Sequence, residues 1–125
     1  MGQVVIIAQD RLTRSFLGAQ LKEEGFEVTG SATITGAILQ LRELGIRPAL
    51  IIIDTLEQHF APETTELLGK ICSGTPLLLI HGACDYPSQL KWQAERYELA
   101  KPLTIGQIVD KVKELRPRSN RQDNK

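Results

Sequence analysis

Asp54 closes the run PALIIID, where apolar and mostly β-branched residues give way at once to a carboxylate. A carboxylate so placed can ligate a hard cation, hold an ammonium group or act as a nucleophile. His81 and Cys84 follow a second apolar run, TPLLLI. Together with Asp54 they are ligand types that a transition metal accepts, but neither has an HxxxH or CxxC partner and no fourth ligand is evident. A Cys84–His81 nucleophilic dyad likewise lacks a third group to orient the imidazole on the thiol. Cys72 and Cys84 are the only cysteines, and they read as reduced thiols of a cytoplasmic protein.

The elements that must position these groups follow from periodicity. A run apolar on both alternating faces is a strand buried on both sides, as in a parallel sheet covered by helices. Val4–Ala8 and Phe26–Ser31 are shorter strands, the run to Asp54 is a third, TPLLLIH a fourth and Tyr97–Ala100 a fifth. Between them lie helical patterns. The first, RLTRSFLGAQLKEEG, follows Asp10 as N-cap and carries Leu12, Phe16, Ala19 and Leu21 as its expected core face, with Gly25 as its stop. The second places Ile34, Ala37, Ile38 and Leu41 on one side and ends at Gly45, and the third opens with Pro62 and turns Leu67, Leu68 and Ile71 inward. SQLKWQAER is expected as a short fourth helix. The last helix, capped by Thr104, spaces Ile105, Ile108, Val109, Val112 and Leu115 for the core. The resulting expectation is one α/β domain over residues 1–116, with a polar tail or linker stub over 117–125.

At 125 residues the chain is long enough for one core without disulfides or structural metal. Its 15 basic and 15 acidic residues cancel, which argues against nucleic acid or an anionic membrane as a partner of this domain. The start MGQVVIIAQD lacks a basic n-region, and no apolar run approaches membrane-spanning length, so a cytoplasmic location is expected.

The strand ending in Asp54, the Lys101-Pro102 step after the fifth strand, and the opening VVIIAQDRLTRSFLGAQLKEEGFEV together resemble the receiver domain of bacterial two-component response regulators. The resemblance runs from about Gln3 to Leu115. It implies a flavodoxin-like, receiver-like fold: a five-stranded parallel sheet with helices on both faces. It also implies that Asp54 is the phospho-acceptor position and Lys101 the lysine that contacts the phosphoryl group. The family carries an acidic pair for Mg²⁺ at the end of the first strand, and the matching positions here are Ala8 and Gln9, followed by Asp10. The hydroxyl that ends the fourth strand in the family is replaced by His81. The aromatic switch before the lysine is replaced by Glu98, beside Tyr97. In receivers the region from the fourth helix to the fifth is a common docking face, and here it contains Tyr86, Trp92 and Tyr97 with Lys91 and Arg96 interleaved.

These departures set the expected function. Phosphoryl transfer depends on neutralising charge, chiefly through Mg²⁺ held by carboxylates, and Ala8 and Gln9 bring no charge. Asp10 is better used as a helix cap. The expectation is a pseudo-receiver, not an enzyme, without cofactor, in which Lys101 serves as counter-ion to a vestigial Asp54. His81 is expected in the vacated metal pocket, where it could pair with Asp54. Signalling would pass through protein–protein contact with a histidine kinase, an output domain or a second copy. Two alternatives stand beside it. One is a working receiver phosphorylated on Asp54 with Mg²⁺, Gln9 or Asp10 standing in for the acidic pair; the other is a small-molecule or metal-binding module around Asp54, His81 and Cys84.

Overall fold

A computed structural model describes residues 2–82, 87 and 90–115. The elements in chain order are β1 (Gln3–Ile7), α1 (Arg11–Glu23), β2 (Glu27–Ser31), α2 (Ile34–Leu44), β3 (Leu50–Asp54), α3 (Pro62–Ile71), β4 (Leu77–His81), β5 (Arg96–Ala100) and α4 (Ile105–Leu115). The strands form one parallel sheet in the order β2-β1-β3-β4-β5. The expected flavodoxin-like architecture is therefore present. No helix among the described residues is long and apolar enough to cross a membrane.

Alternation along each strand divides the core in two. Val4, Ile6, Leu50, Ile52, Leu78 and Ile80 face α1 and α4, where Leu17, Leu21, Ile108, Val109 and Val112 meet them. Val5, Ile7, Ile51, Ile53, Leu77 and Leu79 face α2 and α3 and pack on Ile34, Ala37, Ile38, Leu41 and Leu68. Each fully buried aliphatic side chain contributes about 1.5–3 kcal/mol relative to an exposed one, so β1, β3 and β4 anchor the domain. The caps match their sequence signals. Thr33 accepts from the Gly36 amide at 3.0 Å, Gly45 takes the left-handed conformation at φ 65, and Thr104 and Gln107 exchange side-chain-to-amide bonds at 3.1 and 2.7 Å.

Two sequence expectations are corrected. The core face of α1 is Leu17, Gly18 and Leu21; Leu12 and Phe16 are 61% and 57% exposed, and Ala19 is exposed as well. The helix has an apolar stripe on each side, and the one containing Leu17, Gly18 and Leu21 faces the sheet, with Gly18 set over Val28 and Ile6 at a distance where a Cβ would make ordinary van der Waals contact.

The expected helix SQLKWQAER does not form over Leu90–Glu95, and Arg96 already belongs to β5. Leu90 and Trp92 both pack against the core on the α2–α3 side. Two residues apart, they would stand about 200° around a helix and only one could reach the sheet. The chain instead runs as a strap held by tertiary bonds: Trp92 Nε1 donates to the Thr75 carbonyl at 2.7 Å, the Leu77 amide to Glu95 at 2.9 Å and Arg96 Nη1 to Leu90 at 2.9 Å. The tail 117–125 lies outside the described residues.

Candidate functional site

The parallel register aligns the strand ends that form the crevice. Ile7 pairs with Ile53, Asp54 with Ile80 and His81 with Ala100, so Ala8, Asp54, His81 and Lys101 leave the sheet at one end. The ladder continues past the strands: the Ala8 amide donates to Ser31 at 3.0 Å, Thr55 to Ile80 at 2.9 Å and Lys101 to His81 at 2.8 Å. This backbone continuity places side chains at the sheet end whatever their chemistry.

Asp54 is 7% exposed and its Oδ1 accepts two hydrogen bonds, from Lys101 Nζ at 2.8 Å and from the Leu56 amide at 3.0 Å. One oxygen thus takes a short charge-assisted bond from an ammonium and a second bond from a backbone amide, which fixes the orientation of the carboxylate. Oδ2 accepts no bond among the described residues. The Lys101 side chain is 32% exposed, and the Lys101-Pro102 peptide is cis.

The β1 end is built differently. Ala8 is buried and Gln9 exposed. Asp10 turns its carboxylate onto the start of α1, accepting from the Thr13 hydroxyl at 2.7 Å and the Leu12 amide at 3.4 Å. The Thr13 hydroxyl above all holds the Asp10 carboxyl below its ordinary value, with the Leu12 and Thr13 amides and Arg14 adding to it. Arg14 completes this end: its Nη1 donates to the carbonyls of Ala8 at 2.7 Å and Gln9 at 3.2 Å. Arg14 was not singled out from sequence, although its place four residues after the cap puts it within one helical turn of the β1 end.

The side chain of Asp54 is bonded to Lys101 and Leu56, and His81 turns to other groups. Its Nδ1 lies 3.0 Å from the Gly82 carbonyl and its Nε2 lies 3.7 Å from Glu98 Oε1, while Arg96 Nε lies 3.5 Å from the other oxygen of Glu98. The reason is the face of β5. Tyr97 and Leu99 pack with the α1–α4 side of the core, so Arg96 and Glu98 project to the opposite side, which is the side His81 meets.

The expected interface aromatics are only partly free. Tyr86 and Cys84 lie outside the described residues. Trp92 is tied to Thr75 through its indole. Tyr97 packs on the core, donates to Glu95 Oε1 at 3.0 Å and lies under Lys111, whose Nζ is 5.7 Å from the ring centroid. The bond to Glu95 raises the phenol pKa. A groove of about 530 Å³ runs between α3 and the strap, walled by Gly69, Lys91 and Trp92, and does not reach Asp54.

No protein-family model and no curated relative matches the chain. Solved structures do. The receiver domain of the hybrid histidine kinase CckA superposes with a TM-score of 0.71 at 19% identity, covering 90% of this chain and 97% of that one. A response regulator receiver protein from Sinorhizobium medicae WSM419 gives 0.71 at 19% identity over 91% and 93%. One from Clostridium thermocellum gives 0.69 at 16% identity over 91% and 93%. The chain has the receiver fold. At these identities the likeness carries the architecture alone, and the chemistry rests on the residues present.

Those residues do not suit the Mg²⁺ that the receiver resemblance implies. Mg²⁺ needs an oxygen-rich octahedral shell with carboxylates. Asp54 already shares Oδ1 with Lys101, Asp10 is engaged with Thr13, and Ala8 contributes only a backbone carbonyl that Arg14 occupies. No group of three His, Cys, Asp or Glu suited to a metal ion occurs among the described residues.

Proposed function

We propose that the chain is a receiver-type signalling module of a two-component pathway that acts by protein–protein contact, without Mg²⁺-dependent phosphorylation of Asp54. The observation that carries this reading is the asymmetry of the crevice: Asp54 is bonded to Lys101 at 2.8 Å, while the β1 end offers Ala8, Gln9 and the Arg14 guanidinium. Charge neutralisation supplies most of the catalysis in phosphoryl transfer. A lone lysine already engaged with the acceptor replaces that charge poorly. The module is read as non-enzymatic, cofactor-free and cytoplasmic, with a histidine kinase, an output domain or another copy as partner.

One observation favours the second reading, a working acceptor. Oδ2 of Asp54 keeps a lone pair free of hydrogen bonds among the described residues, as a nucleophile requires. Intact-mass analysis after incubation with a small phosphodonor and Mg²⁺ separates the two. The expected result is no Asp54-dependent gain. A base-labile, acid-stable phosphoryl adduct at substantial yield, absent from Asp54→Asn, would overturn the proposal.

A further inference from the structure

The groove between α3 and the strap that joins β4 to β5 belongs to no part of the crevice at Asp54. Its volume, about 530 Å³, falls within the roughly 300–1,000 Å³ usual for small-molecule sites. Trp92 forms one wall, and the bond from its indole N–H to the Thr75 carbonyl at 2.7 Å fixes the ring in place. Gly69 lines the groove from α3. Its φ is not left-handed, so no turn calls for glycine there, and a glycine inside a helix weakens it relative to alanine. Packing within the chain does not call for it either. Among the described residues a Cβ at Gly69 would meet only Trp92 Cζ3, at 3.9 Å, an ordinary contact. What the missing side chain leaves is room beside the indole.

We propose that this groove binds a planar organic anion, a flat ring carrying a carboxylate or a phosphate. The ring is matched by the indole of Trp92, against which an aromatic group packs stacked or edge-on, in the slot that Gly69 leaves open. The charge is matched by lysines. Lys70 and Lys91 both line the groove and are exposed; Lys91 makes no ion pair among the described residues, and Lys70 reaches Glu66 only at 3.9 Å. Two lysines against the single glutamate of the lining leave one net positive charge. The C-terminal end of a helix ordinarily repels an anion. Here its carbonyls are taken: Leu68 accepts from the Cys72 amide, Cys72 from the Thr75 amide and Ser73 from Arg47 Nη2. An amphipathic helix fits less well, because it docks through a row of apolar anchors, and along α3 this lining presents Glu66, Lys70 and Ser73.

The site is independent of whether Asp54 accepts a phosphoryl group. Trp92 is the only tryptophan of the chain, so its fluorescence reports the groove directly. The test is titration of the full chain with adenosine monophosphate and with benzoate, both planar anions, against adenosine and inorganic phosphate, which carry the ring or the charge alone. Saturable quenching in the micromolar to millimolar range is expected from a planar anion, with the ring or the charge alone about tenfold weaker or more. Gly69→Leu fills the slot and should weaken binding about tenfold or more, while the thermal melt holds or rises because leucine favours a helix over glycine. Lys91→Gln, an exposed change, should weaken it about threefold with the melt unchanged. If the melt of Gly69→Leu falls, Lys91→Gln alone decides. No saturable quenching by either planar anion overturns the proposal. So does binding indifferent to Lys91→Gln or to a well-folded Gly69→Leu, and so does adenosine binding as tightly as its monophosphate.

Discussion

The crevice at the end of the sheet has two halves that share a backbone plan and differ in what they present. In the half formed by β3 and β5, Asp54 and Lys101 meet across the β4 end at 2.8 Å. In the half formed by β1 and α1, Ala8 is apolar, Asp10 caps the helix and Arg14 binds the carbonyls of Ala8 and Gln9. Both halves continue the ladder beyond the strands by the same kind of amide bond. A parallel sheet thus holds positions without holding chemistry. One half of this crevice keeps an acid–base pair of charges, and the other places a cation where a metal site needs acids.

Putting acids back into the β1 half should have the largest effect. In Ala8→Asp/Gln9→Asp the first carboxylate enters a site 1% exposed, at a cost of about 2–3 kcal/mol in metal-free urea unfolding. Millimolar Mg²⁺ should recover that loss by binding the folded state, and Asp54 should then label with a phosphodonor. A stable variant blind to Mg²⁺ would show that the β1 half is not what separates this crevice from a metal site.

Breaking the other half should cost less. Lys101→Met leaves the Asp54 carboxylate with the Leu56 amide as its one donor among the described residues, and because Lys101 is 32% exposed the expected loss is about 1 kcal/mol in the same assay. Asp54→Asn/Lys101→Met removes both charges and should lie nearer wild type than Lys101→Met. Equal, additive losses would mean that the pair is a surface contact without structural weight.

The smallest effect belongs to Asp10, read in the pH dependence of the melting temperature. Its folded pKa lies below the ordinary value of 3.8, chiefly through the Thr13 hydroxyl. The stabilisation is therefore complete above 3.8 and is lost as pH falls through the lower folded value. Asp10→Asn should flatten that acid limb slightly and leave the behaviour near neutrality unchanged. A shift of the neutral-pH melt with added Mg²⁺ that depends on Asp10 would instead make it a metal ligand.

Much of this was legible in the chain. LIIID and LLLIH, apolar on both faces, read as central buried strands, and they are. Gly45, Pro62 and Thr104 mark helix ends because each has a backbone or capping property that works at one kind of position. In the β4–β5 connection SQLKWQAER has helical composition, yet it also carries signals against a helix. Leu90 and Trp92 are two apart, and β5 itself, RYELA, alternates where its neighbours do not. Alternation marks a strand with one apolar and one polar face, consistent with Arg96 and Glu98 lying away from the packed side.

What the sequence determined by itself is the class of fold, the buried strands, the place of Asp54 and Lys101 at strand ends, and the want of acids at Ala8 and Gln9. These follow from local periodicity and residue chemistry. Only the tertiary structure decided which of two apolar stripes on α1 enters the core, that His81 turns to Glu98, and that Arg14 closes the β1 end. Each of those choices is a competition between alternatives of similar local merit. It is settled by partners distant in sequence: Ile6 and Val28 meeting Gly18, β5 presenting Glu98, and a strand end offering its carbonyls to a helix turn.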